Sequence, residues 1–154
     1  MALAQGVGNG CDAVQIQKVS DLNFGMVYFA RGQSGRVAIL PNDRIEALSA
    51  GVALPSASIH SPGKVTVVGP ANSLIYLSVT DQITRDIQVD EFKLVHPSQQ
   101  REAEKRGEYW VVQTKNFPSV ELNIAGTLNF GGLAPQPQKF ITTFFVACEL
   151  VEPD

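Results

Sequence analysis

Val120, Leu122 and Ile124, then Gly126, Leu128 and Phe130, alternate with Glu121, Asn123, Ala125, Thr127 and Asn129. A period of two sustained this long is the pattern of a strand with one face in a core and one in water. Gly126 has no side chain to pack, so a bend or bulge is expected there. Shorter stretches repeat the pattern: Val14 and Ile16 among glutamines, then Leu22, Phe24 and Met26, then Val37 and Ile39. Further strands are expected at 52–54, 64–68, 74–79, 87–95 and 108–115. The run "KFITTFFVACELV", 139–151, is rich in β-branched and aromatic residues and predicts one long central strand. Turn residues punctuate these segments in "LPND", "HSPGK", "GPANS", "NFPS" and "GGLAPQPQK". Only 97–106 is a helical candidate, and it lacks an apolar stripe. About eight or nine short strands at this spacing predict an all-β chain folded as an antiparallel sandwich. One domain is expected over 13–154, with 1–12 as a flexible N-terminal segment.

A chain of 154 residues buries roughly 70% of its unfolded surface and needs no metal to fold. The net charge is −3 and no basic run occurs, which argues against nucleic acid as a partner. The densest charged stretch, "QQREAEKRGE", mixes both signs as a solvated segment does. No apolar run reaches the roughly 18 residues of a membrane helix, so no membrane span is expected. Ala2-Leu3-Ala4 before Gln5 has the small-x-small form of a signal-peptidase site, and is either a signal-peptide remnant or an accidental tripeptide after an added Met1. Cys11 and Cys148 stand near opposite ends, at a spacing unlike any C-x-x-C redox or zinc motif. In an oxidising compartment they are candidates for a disulfide joining the N-terminal segment to the last strand. Closing so long a loop stabilises by about 4–5 kcal/mol in the chain-entropy model. The alternative is two unpaired thiols.

Chemistry-bearing patterns are sparse. The two histidines, His60 in "SIHSPG" and His96 in "LVHPSQ", each sit beside a proline turn, and no G-x-S-x-G elbow accompanies them. Asp90 and Glu91 are sequence neighbours, which places them on opposite faces of a strand and argues against a glycosidase pair. Asp81, Asp86 and Asp90 lack the spacing of a calcium loop and read as solvated turn acids. "GVGNG" precedes a strand rather than a helix, so it offers no phosphate site. Catalytic residues, metal and cofactor are accordingly predicted to be none. Tyr109 and Trp110 are adjacent, so one faces the core and the other is a candidate for a ligand surface. Tyr28 and Tyr76 raise the same question.

Six short elements recur in a telling order. "DLNFG" at 21–25 is followed by "GRVAILPNDR", "AGVAL", "VTVVGPANSLIYLSV", "VDEF" and "LNIAGTLNF". This order resembles a family of small exported bacterial proteins known only as a domain of unknown function. The resemblance spans roughly residues 20 to 150. It implies an immunoglobulin-like β-sandwich, secreted or on the cell surface, similar to fimbrial or pilus-type subunits, without catalytic residues. The chain departs from the family pattern at Ala50-Gly51 and Ala125-Gly126, where one small residue is kept. It departs further in "LVHPSQQREAEKRGEYWVVQTKNFPS", which is longer and more charged than the family's usual connection. Such an insertion is where a protein-specific surface is expected.

Two functions follow as expectations. The first is a non-catalytic structural subunit of a surface filament, pilus or coat, partnered by other copies of itself through β-strand addition. Its candidate donor is residues 7–19, with Val14, Ile16 and Val19 as the groove-filling side chains. The competing arrangement completes the fold within one chain, with 13–19 as its own first strand. The second function is a secreted carbohydrate- or matrix-binding module, which would use an outward Tyr109 or Trp110 on a glycan or matrix ligand.

Overall fold

The computed structural model describes residues 9–29, 33–55, 59–82, 86–98, 101–116, 118–131 and 138–154. Ala2-Leu3-Ala4 therefore lies outside the described residues, as do parts of the "GVGNG", "RGQSG" and "GGLAPQPQK" segments. A 3-10 turn at Cys11–Ala13 leads into β1 (Gln15–Ser20), β2 (Leu22–Val27), β3 (Gly35–Ile39) and β4 (Ile45–Ala47). Then come β5 (Gly63–Val68), β6 (Ser73–Asp81), β7 (Ile87–His96), β8 (Arg101–Glu102) and β9 (Glu104–Arg106). The chain ends with β10 (Tyr109–Thr114), β11 (Ser119–Phe130), β12 (Gln138–Thr142) and β13 (Phe144–Pro153).

Every ladder among the described residues is antiparallel. The larger sheet is built around β11, the strand whose period of two was longest. Its first half pairs with β5 and its second half with β3, while β7 runs along its other side. β1 extends this sheet beyond β5, β4 lies beyond β3, and β8 pairs with β7. The second sheet has the order β13-β6-β10-β9, and β2 pairs with β12. Leu22, Phe24, Val65, Ile75, Leu77, Leu94, Leu122, Ile124, Leu128 and Phe144 are fully buried between these layers. The architecture is an antiparallel β-sandwich.

Several expectations are corrected. The "KFITTFFVACELV" run is not one central strand: it divides at Thr143, where β12 on β2 gives way to β13 on β6. β13 is the outermost strand of its sheet, and both segments leave an apolar residue in water, Ile141 and Phe145, each 53% exposed. Within 97–106, Arg101–Glu102 and Glu104–Arg106 are strands, not helix, because no apolar stripe holds a helix against the core, whereas Ala103 N–H reaches Leu94 O at 2.7 Å. The 52–54 segment makes only an isolated bridge, Tyr28 to Ala53, while β4 at 45–47 was unforeseen. The described strands number thirteen, above the eight or nine expected, chiefly because of these divisions and short hairpin pieces.

"DLNFG" has a structural reason. Asn23 Oδ1 accepts from Gly25 N–H at 2.9 Å, and Gly25 sits at φ 74°, a region where side-chain-bearing residues are strained. Phe24 becomes the extra residue of a bulge facing β12. The bulge changes the parity of the strand, so Leu22 and Phe24 are followed into the core by Val27 instead of Met26. The irregularity expected at Gly126 is also present, but the extra residue belongs to β7: Ala125 faces Lys93 while Thr127 faces Asp90. Glu91 takes the bulge at φ 52°. It thereby reaches Arg36 at 2.6 Å, and Asp90 accepts from Asn129, whose Oδ1 accepts from Arg36. The two acids thus join one polar network, which simple strand alternation had ruled out.

Candidate functional site

The described N-terminal residues are fastened at Cys11 and again at Lys18–Asp21. Cys11 is disulfide-bonded to Cys148, with Cα atoms 5.8 Å apart, across 137 residues of sequence. The bond joins the 3-10 turn to β13, so residues 9–12, the described part of the segment expected to be flexible, are tied to the last strand. Val151 also lies against this turn, 3.1 Å from where a Cβ on Gly10 would stand.

From that anchor β1 runs antiparallel to β5, Gln15 opposite Val68 and Lys18 opposite Val65. Val14 and Ile16 pack against the core, with Val14 close to the bare backbone of Gly69. Val19, the third candidate groove-filling residue, does not: it is the bulged residue between Lys18 and Ser20 and is 61% exposed. A bulge beside a lysine is a common guard on an outermost strand, since it breaks the flat edge that a further strand would need. The sequence's period of two extends Val14 and Ile16 toward position 18, but the bulge was not visible in it.

The other end of β1 is closed by a clasp. Asp21 alone separates β1 from β2, and these strands belong to different ladders. Lys18 Nζ donates to Asp21 Oδ1 at 2.7 Å, to Thr143 Oγ1 at 2.6 Å and to Phe144 O at 3.3 Å. Thr143 Oγ1 in turn donates to Asp21 Oδ1 at 2.8 Å. The ammonium also stands 5.0 Å from the centre of the Phe144 ring. The turn from β1 to β2 is thus pinned to the residue where β12 passes into β13. The Lys18 hydrogen bond, aided by Thr143, holds the Asp21 carboxyl below the usual carboxylate range.

A carboxyl whose folded value is depressed stabilises the fold above its unfolded value, and that contribution disappears as pH falls through the folded one. Asp21→Asn is therefore expected to lower stability by at most about 1 kcal/mol at pH 7, the scale of an exposed ion pair. The gap to the native chain should close as pH falls below the ordinary carboxylate range and through the depressed folded value, and urea unfolding of both proteins across pH measures it. A gap that stays constant to acid pH would remove the charged clasp.

The aromatic candidates separate. Trp110 is 7% exposed and belongs to the core, with Lys105 Nζ 5.0 Å above its ring, so it is withdrawn as an outward ligand residue. Tyr109, its neighbour on the opposite face, is 37% exposed. Tyr76 packs on Arg106, whose Nη1 donates to its hydroxyl at 2.9 Å. Tyr28 is exposed and bridges to Ala53 through its backbone. Two of the three acids of the calcium reading are engaged otherwise, Asp81 by Val89 N–H and Asp90 by Asn129. His60 Nε2 meets Asp43 O at 2.9 Å, and His96 is held below its ordinary value by burial and by Arg101. Among the described residues nothing joins the two histidines.

The charged insertion crosses between layers, β8 on β7 of one sheet and β9 on β10 of the other. Beneath it lies a cavity of about 560 Å³, with His96, Arg101, Lys115 and Glu121 in its lining. Glu104 and Glu102, also in the lining, are paired with Arg106 and Lys93.

An antiparallel sandwich with its N-terminal segment fastened to its last strand by a disulfide defines the class. The sequence matches the model of a domain of unknown function, DUF4402, over residues 14–146, and the chain belongs to that family. The match starts at Val14, so Cys11 and the turn that carries it precede it, and Cys148 follows it. No curated protein and no solved structure matches.

Proposed function

We propose that this protein is an exported, non-catalytic structural subunit of a bacterial surface filament, pilus or coat, whose copies join by β-strand addition. The observation that carries the reading is the placement of β1. It is an outermost strand, hydrogen-bonded to β5 alone among the described strands, and it reaches the rest of the chain through the single residue Asp21. The contribution of β1 and the residue before it to the core is confined to Ile16 and Val14. A strand so placed can be supplied by one chain or by another with the same contacts. The disulfide supports an oxidising compartment, and with it export.

The reading predicts that material taken from its native source is polymeric in electron micrographs and in size-exclusion chromatography. Deleting residues 1–19 should abolish that assembly. Monomeric native material would reject the reading, and assemblies that persist unchanged after the deletion would reject the N-terminal donor.

A further inference from the structure

We propose that the Cys11–Cys148 disulfide is a lock that keeps β1 on its own β5, and that the β5 edge is the acceptor for β1 of a second copy whenever that bond is absent. This rests on the strand-addition reading and names its acceptor and its control. The fit of the occupant is visible in the chain itself: Gln15 to Ser20 already lie on Val68 to Lys64, with Val14 against Gly69 and Ile16 in the core margin. An identical segment from another copy meets the same ladder and the same apolar contacts. Val14 and Ile16, not Val19, are then the filling side chains.

Three connections hold β1 in place: the β5 ladder, the clasp at Lys18 and Asp21, and the disulfide. Exchange between copies re-forms the ladder. The clasp joins a surface lysine and carboxylate, each more than a third exposed, and it contributes little. Apart from the backbone at Asp21, only the disulfide is covalent. It fixes Cys11, four residues before β1 begins, to β13 of the same chain, so the strand's return always outcompetes a second copy's. A dithiol opens the lock by passing two electrons to the cystine. The sulfur–sulfur bond breaks, each sulfur takes a proton from the dithiol, and the dithiol closes to its own disulfide.

The full-length variants Cys11→Ser and Cys148→Ser test this, because neither can form the bond alone. If β1 is exchanged, Cys11 of the second variant arrives beside Cys148 of the first. Mixing the two at high concentration under mild oxidant should give a disulfide-linked dimer on non-reducing gels, several-fold above either variant alone. In each variant the amides of Gln15–Lys18 should exchange with solvent at least tenfold faster than in the oxidised native chain. Those of Leu122–Leu128 should stay protected, which reports that the sandwich is folded. Unchanged exchange in β1 would overturn the lock. Faster exchange without the mixed dimer would overturn transfer between copies. Native polymers that keep β1 protected and the bond within each chain would overturn the inference while leaving strand addition at another edge standing.

Discussion

Opening the Cys11–Cys148 bond lowers the stability of the folded chain by about 4–5 kcal/mol, the largest effect expected from any single bond in it. The bond spans 137 residues, so its loss frees nearly the whole unfolded chain from one closed loop. For a chain of this size each kcal/mol moves the midpoint by about 2–4 °C, which places the expected drop at roughly 10–20 °C. Calorimetry of the native chain and of Cys11→Ser/Cys148→Ser measures it. A change below about 1 kcal/mol would mean that the bond restrains only the terminus and not the domain.

Phe144→Ala is expected to cost about 3–5 kcal/mol, as removal of a fully buried phenylalanine does. Phe144 is 1% exposed and opens β13 directly after the passage from β12. Its ring lies on the bare backbone of Gly63: a Cβ placed there would be 2.4 Å from Cε1 and 2.7 Å from Cζ. Gly63→Ala in the native background therefore forces the ring aside, at a cost of about 1–3 kcal/mol. In the Phe144→Ala background the same methyl enters vacated space and should cost much less. Urea unfolding of the four proteins gives the coupling, and effects that add to within about 0.5 kcal/mol would show that the two sites do not press on each other. The same ring carries the Lys18 ammonium, so Phe144→Ala also loosens the clasp on β1.

Much of the sandwich was legible in residues read two at a time. Leu122, Ile124 and Leu128 are buried as expected, but Asn123, Ala125 and Thr127 on the face expected in water are buried too, because β11 is the strand that the rest of the larger sheet is built on. The pairing of Cys11 with Cys148 was one of two readings open from spacing, and the fold brings the two residues together. What was not legible were events that change parity or partner. Met26 was expected inside, but the bulge at Phe24 and Gly25 turns Val27 inward instead. Glu91 was expected to face away from Asp90 until its own bulge turned it toward Arg36. Val19 looked like a third apolar anchor beside Val14 and Ile16, yet it is the residue that the β1 edge pushes into water.

By itself the sequence determined that this protein is built of strands, which faces of those strands are apolar, and that its termini carry one cysteine each. These are local properties, because side-chain alternation follows from the geometry of an extended backbone. Only the tertiary structure decided that 139–151 serves two ladders, that Trp110 is inside while Tyr109 is outside, and that β1 lies on β5 behind a one-residue hinge. A strand's partner is chosen by contacts far along the chain, and its period of two is the same whichever neighbour it meets.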